Sequence, residues 1–506
     1  FHRIQYQPNN PFSLSEKIIR AIADDEPTQT FIWVKVLSHV LVAKIMIGGK
    51  EMKAYSKWLI LVVTLISLLA LTACAGEPSE NTSGSNSSSN ENGSDESANN
   101  IGDKIELDFW TFWGSETRRP IVQGIIDDFN ESQDEIFVKH TYLPWGDVWT
   151  KSLASIAAGD PPDVIVQDLN SVRQRAEKKQ NTNLAEFIAQ EEGFEDKFFE
   201  NTWSPMVYEG DPYGVPFDTD TYMLWWNKEV FEEAGLDPEQ PPTTWAELEE
   251  MAAQIDKKNG DRYERIGFLP RYGAGFDIYM MNIDGQSFWD YENNEPIINQ
   301  DTDVDAVQWI KDYESKYGQD VINGFTAEFG SETADPFIAG KIGMKISPGT
   351  FYTQIRDYGE GMEFGIAPLP EFEGYSGGNT TWGGGFNLEI PYGAEHPEAS
   401  WEFIKYLTGI EGQTAWATQN FANVPNIEAS ELVAESSELT DVGRYVYNET
   451  VKNLENTIRT PTPLEAPDYL SLINPEIEKA LLDDQGVQEA LDKAQQAVLD
   501  LVESTK

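Results

Sequence analysis

The sequence predicts an α/β protein of two lobes, and three observations carry that reading. Strand-like and helix-like apolar patterns alternate along the chain after residue 103. The stretch 103–506 is longer than one ordinary core organises. Cys74 is the only cysteine, so no disulfide framework substitutes for burial. Aromatic side chains are plentiful enough to supply that burial, with 15 Trp, 20 Tyr and 25 Phe.

The first segment, 1–51, opens on Phe1 and is followed by Met52. Gly48-Gly49-Lys50-Glu51 is what a purine-rich ribosome-binding site would give if translated. Residues 1–51 are therefore expected to be a mis-assigned upstream extension. Residues 52–73 place Lys53 and Lys57 before an apolar run that ends in small residues, the pattern of a secretory signal. The run from Trp58 to Ala73 is shorter than the ~20 residues that span a bilayer. Leu71-Thr72-Ala73-Cys74 looks like a bacterial lipobox, which makes Cys74 the expected lipidation site and the membrane anchor. Residues 74–102 then read as an acylated cysteine and a Ser/Asn/Gly-rich tether. This stretch has too little apolar surface to offset its ordering entropy.

The formal net charge is −50, and it falls on the chain after Cys74, because the residues before it are slightly basic. Such a surface repels nucleic acid, so that class of partner is excluded.

Within 103–506, Ile105–Trp110 alternates in polarity and reads as a first strand. Arg119-Pro120 opens a helix whose stripe is Ile121, Ile125 and Phe129. Phe137-Val138 marks a second strand, and Val148–Ala158 a helix stopped by Gly159. Asp163–Val166 is a short apolar run suited to a buried strand. Tyr222–Trp226 is a further strand, leading into Lys228–Phe231 and a stop at Gly235. Thr244-Trp245-Ala246-Glu247 fits a capping box for a helix reaching Ile255. Ile266–Phe268 and Ile342–Ile346 read as strands. Pro397 starts a helix with Trp401, Ile404 and Leu407 on one face, ending at Gly409. The last helix aligns Val487, Leu491, Ala494, Val498 and Leu501.

Several stretches together resemble one family. They are Trp226–Asp237 followed by Pro242-Thr243-Thr244-Trp245, Ala158–Val164, Phe337–Met344, Gly365–Pro370 and Trp401–Gly409. In this order, behind a lipobox, they are similar to the extracellular solute-binding proteins of ABC importers, family 1, whose best-known members bind maltose and other oligosaccharides. The resemblance implies a periplasmic-binding-protein-like fold of type II. Its two lobes are discontinuous in sequence, with crossovers near 218–222, near 382–386 and after 409, and a ligand cleft between them. It also implies a carbohydrate ligand, an ABC permease with its ATPase as partner, and a monomer on the extracytoplasmic face of the membrane.

Sugars present apolar C–H faces and polar rims, so aromatic planes and carboxylates, amides or Arg are the expected contacts. Trp110 and Trp113 follow the first strand, where ligands of open α/β sheets bind. Alternation puts Trp110 and Phe112 on one face and Trp113 opposite. Asp168 and Asn170 follow the Asp163–Val166 strand. Asp220 and Tyr222 lie at the first expected crossover. Arg271 and Tyr272 follow Ile266–Phe268, though Arg271 has many acids with which to pair. By the resemblance, Phe351 and Tyr352 stand where relatives carry a stacking aromatic, in a stretch that departs from the commoner Gly-x-Trp. Trp382 and Gly384 put an aromatic beside a backbone open to ligand.

No cofactor is expected. Gly383–Gly385 lack the Lys-Ser/Thr of a phosphate loop, and only His140 and His396 follow Cys74, too sparse for a zinc site. The rival class is a lipid-anchored glycoside hydrolase. It too would carry an aromatic cleft and needs two carboxylates at a set separation, and 86 Asp/Glu single out no pair.

Overall fold

The computed structural model describes residues 104–260, 262–328, 335–482 and 485–505. The upstream segment 1–51, the signal 52–73, Cys74 and the tether to residue 102 lie outside the described residues.

Eight strands set the architecture: β1 Ile105–Thr111, β2 Ile136–Tyr142, β3 Val164–Asp168, β4 Val215–Thr219, β5 Tyr222–Asn227, β6 Met344–Pro348, β7 Phe364–Ala367 and β8 Gly385–Glu389. The first sheet runs β2-β1-β3-β8-β4 and the second β6-β5-β7. β1 is parallel to β2 and β3, whereas β8 runs antiparallel to both of its neighbours. In the second sheet β5 is antiparallel to both flanking strands. The fold is thus α/β, with two main sheets beside four two-stranded ones among the described residues, and the chain passes from the first main sheet to the second within Asp220-Thr221. It returns between Ala367 and Gly385.

Local pattern explains most elements. In β1, Leu107, Phe109 and Thr111 are buried while Asp108 and Trp110 turn to the other side. The helix Arg118–Ser132 buries Ile121, Ile125 and Phe129 together with Val122 and Ile126. Each such side chain contributes about 1.5–3 kcal/mol on full burial. The helix Asp147–Ala158 stops at Gly159, whose φ of 78° only glycine adopts cheaply. Thr244 caps the helix Trp245–Ile255 by accepting the Glu247 N–H, and the Glu247 carboxylate reaches back one residue further than a standard box, to the N–H of Thr243. The helix Pro397–Thr408 buries Trp401, Ile404 and Leu407. The final helix Val487–Thr505 buries Val487, Leu491, Ala494 and Val498, with Val502 in place of Leu501 completing the stripe. Ile266–Phe268 departs from the strand expectation: Ile266 makes one isolated bridge to Ile342. No helix of the described residues is long and apolar enough to cross a membrane.

Two apolar clusters fill the fold. One lies on the face of the second sheet that carries Leu224, Trp226, Met344 and Ile346, covered by the helices Trp245–Ile255, Phe276–Asp284, Asp301–Ser315, Tyr469–Leu481 and Val487–Thr505. The other starts under the first sheet, at Leu107, Phe109 and Val166. It continues through Phe421, Ala422 and Val424 to the opposite face of the second sheet, at Met223 and Trp225. The helix Asp441–Asn453 closes that face, with the Tyr445 hydroxyl against the backbone of Ile366.

The return passage is tight. A Cβ on Gly383 would come within 2.2 Å of the Asp220 carbonyl oxygen, and one on Gly385 within 2.3 Å of the Asp218 carbonyl oxygen; Gly385 also has φ +142°. Gly385→Ala should therefore lower the urea midpoint by the equivalent of at least about 1–3 kcal/mol, from backbone strain alone. Gly124 on the helix Arg118–Ser132 has nothing within 4 Å of a new Cβ. Gly124→Ala should raise the midpoint by about 0.5–1 kcal/mol, which provides the control.

Candidate functional site

A cavity of about 340 Å³ lies where the two sheets meet. Its walls come from strand ends. Phe112 and Trp113 follow β1, Asp168 closes β3, and Asp218 and Thr219 close β4. Gly384 precedes β8, and Gly385 and Phe386 begin it. The second sheet supplies Tyr222 at the start of β5, then Pro348 and Thr350 at and beyond the end of β6. Asp220, Trp382, Arg118, Trp145, Asn420 and Ala422 complete the lining.

The acids are held in place by backbone amides. Asp168 Oδ1 accepts the Asn170 N–H at 2.8 Å, Asp218 Oδ1 accepts the Phe386 N–H at 2.9 Å, and Asp220 Oδ1 accepts the Gly384 N–H at 2.7 Å. Burial pushes the Asp168 carboxyl up to about 6, against the pull of the Asn170 amide and helped by the charge of Asp220. Burial, then the Asp220 charge, pushes Asp218 up to about 8, while the Phe386 N–H and Arg118 oppose. Asp220 is also raised by burial, with Gly384, Arg459 and Arg118 restraining it. At neutral pH the site therefore contains both protonated and ionised carboxyls, able to donate to one hydroxyl and accept from another.

Aromatic planes bracket these acids. The Trp382 ring lies 5.6 Å from that of Tyr222, and its indole N–H donates to Thr460 Oγ1 at 3.2 Å. Across the cavity, Phe112 packs edge-on to Trp145 at 4.6 Å and lies 4.7 Å from Phe386. Among the described residues no cluster of His, Cys, Asp or Glu could hold a metal ion.

Of the residues singled out from sequence, Trp113, Asp168, Asp220, Tyr222, Trp382 and Gly384 meet in this cavity. Trp113 does so as a side chain only 2% exposed, clamped between Trp416 at 4.5 Å and Phe217 at 5.4 Å. The others lie elsewhere. Trp110 sits within β1, its indole N–H donating to Asp108 at 2.7 Å. Asn170 is buried in the turn after β3, and its carbonyl takes the Thr462 N–H. Arg271 forks onto Glu314 and Glu478, so its charge is spent on ion pairs inside the second lobe. The Tyr272 hydroxyl donates to Asp335 at 3.2 Å. Phe351 is 3% exposed and packs edge-on to Trp225, with the Lys345 ammonium 3.8 Å from its ring centre. Tyr352 is buried against Phe421 at 4.6 Å. The short helical turns Gly349–Phe351 and Tyr352–Tyr358 rotate these two aromatics into the core, and leave Pro348 and Thr350 at the cavity.

Sequence reasoning did not select Arg118, Trp145, Asp218 or Phe386. Trp145 had a usable signal: Pro144-Trp145-Gly146 directly follows β2, at the same end of the sheet as the other strand-end residues. Arg118, in the first turn of a helix, had none.

Comparison with known proteins agrees with this architecture. The profile of the family described as bacterial extracellular solute-binding protein matches residues 124–442. The arabinooligosaccharide-binding protein of Bacillus subtilis is 23% identical over 75% of this chain and 83% of its own length. The sn-glycerol-3-phosphate-binding periplasmic protein UgpB of Yersinia pestis is 25% identical over 62% of this chain and 72% of its own. Among solved structures, CpMnBP1 with mannotriose bound superimposes with a TM-score of 0.70 at 26% identity, covering 78% of this chain and 100% of that one.

The raised carboxyls make stability depend on pH. Folded Asp218 keeps its proton up to about pH 8, whereas an aspartate in the unfolded chain loses it near 3.8. Between those values the folded state binds more protons than the unfolded state, so raising the pH destabilises it. This contribution is complete below the unfolded value and is lost as the pH rises through about 8. The urea midpoint should fall from pH 5 to pH 9. Asp218→Asn, which retains an acceptor for the Phe386 N–H, should flatten that fall; an unchanged pH profile would contradict the assignment.

Proposed function

The chain belongs to the bacterial extracellular solute-binding protein family, and from that premise we propose that it is the substrate-binding receptor of an ABC importer, gripping a sugar or oligosaccharide between its two lobes. The observation that carries the reading is the cavity itself. Trp382 and Tyr222 on one side and Phe112 and Trp145 on the other offer faces for sugar C–H surfaces. Asp168, Asp218, Asp220 and Arg118 offer partners for hydroxyls. The arabinooligosaccharide- and mannotriose-binding relatives support the same class of ligand. A phosphate ester such as the ligand of the Yersinia relative would meet three buried acids here, with Arg118 as the one cation in the lining. Repulsion favours a neutral solute.

The lobes meet at Asp220-Thr221, at Trp382–Phe386 and in the passage after residue 409. A ligand touching both lobes stabilises closure by its differential affinity for the closed state. The closed receptor then hands its cargo to the permease. The relatives named above are binding proteins, which supports binding without turnover. The Leu71–Cys74 motif supports lipid anchoring at Cys74, with residues 75–102 as a tether and the binding body monomeric.

Calorimetry against manno-, arabino- and malto-oligosaccharides should give heat for at least one series, with no shortened product on chromatography. Trp382→Ala should weaken that binding by roughly tenfold or more. Heat from none of the three, or release of product, would overturn the reading. In cells, Cys74→Ser should abolish incorporation of labelled palmitate and shift the protein from the membrane to the soluble fraction.

A further inference from the structure

The cavity is small for a sugar-chain receptor. Its 340 Å³ lies at the low end of ligand pockets, which run from about 300 to 1,000 Å³. Yet the aromatic surface does not stop at its wall. Trp145 lines the mouth and is 62% exposed, an unusual condition for tryptophan. It is nevertheless fixed: Phe112 at 4.6 Å and Trp149 at 4.7 Å both meet it edge-on, and Phe386 lies 5.9 Å away. The Trp149 indole is itself tied to the Val166 carbonyl.

Tyr142, the last residue of β2, is 43% exposed and lies outside the cavity lining. Its ring rests on the backbone at Gly114, where any Cβ would come within 2.2 Å of ring carbons. Only glycine leaves room for that ring position. β2 is the edge strand, with β1 and then β3 inside it. From Asp168 at the end of β3, past Phe112 after β1, to Tyr142 on β2 is two strand spacings, about 10 Å. Held aromatics thus continue from the cavity to the edge of the sheet, with an exposed face at each outer step.

Building on the proposed sugar-binding role, we infer that Trp145 and Tyr142 form an outer subsite that stacks the distal rings of an oligosaccharide whose first units fill the cavity. The ligand class is then a neutral glycan chain longer than the cavity holds, and this ledge sets the preference for chain length. Exposed planar rings that are already immobilised lose little freedom on binding, which suits them to stacking.

The test is calorimetry with manno-, arabino- and malto-oligosaccharides of one to five units, on wild type, Tyr142→Ala and Trp145→Ala. Both side chains are exposed, and circular dichroism with urea titration establishes that the variants fold. In the series that binds, affinity should rise by roughly tenfold between two and four units. Tyr142→Ala should remove most of that rise while leaving the disaccharide affinity within about twofold. Trp145→Ala should flatten it further. Wild-type affinity independent of length, a preference for monosaccharides, or a Tyr142→Ala variant that keeps the full rise would overturn the outer subsite and leave the cavity reading standing. Binding of no sugar at any length would overturn both.

Discussion

The structure depends on two hydrogen bonds between aspartate side chains and backbone amides. Asp218 takes the Phe386 N–H and Asp220 takes the Gly384 N–H, so the strand leaving the first sheet is fastened to the segment returning to it. A hydrogen bond to a neutral carboxyl contributes about 0.5–1.5 kcal/mol net and one to an ionised carboxylate more, but burying the carboxyls costs part of that. The charge of Arg118 offsets this cost at both acids, and that of Arg459 at Asp220. The glycines at 383 and 385 follow from the same constraint, since the two backbones lie too close for a side chain between them. The acids that fasten the joint are also acids of the cavity wall, so the mechanical and binding roles of this region share atoms.

What the sequence revealed and what it concealed divide along a physical line. The helix stripe Ile121, Ile125, Phe129, the Thr244 cap and the buried run Val164–Val166 are set by residues within one or two turns of each other, and all appear in the structure. The run Ile266–Phe268 was equally visible, but its ladder to Lys341–Met344 stops after a few bonds, because the Gly267 N–H is taken by the Asp256 carboxylate. Side-chain destinations were harder. Arg271 finds Glu314, forty-three positions away, and Phe351 finds Trp225 across the second sheet. Nothing local distinguishes an arginine that will meet a ligand from one that will meet a glutamate. Strand ends were the better guide, since Asp168, Asp220 and Tyr222 all reach the cavity. The same guide extended to the turn after β2 would have included Trp145.

The apolar cluster that passes beneath the joint has a thermodynamic consequence. Phe109 and Val166 under the first sheet belong to the same continuous body of side chains as Trp225 and Phe364 on the second, linked through Phe421 and Val424. Neither half could melt alone without stripping the cover from a sheet face in the other. The halves should therefore lose structure in one cooperative heat-absorption peak, whereas a protein hinged only by bare connecting strands would show two.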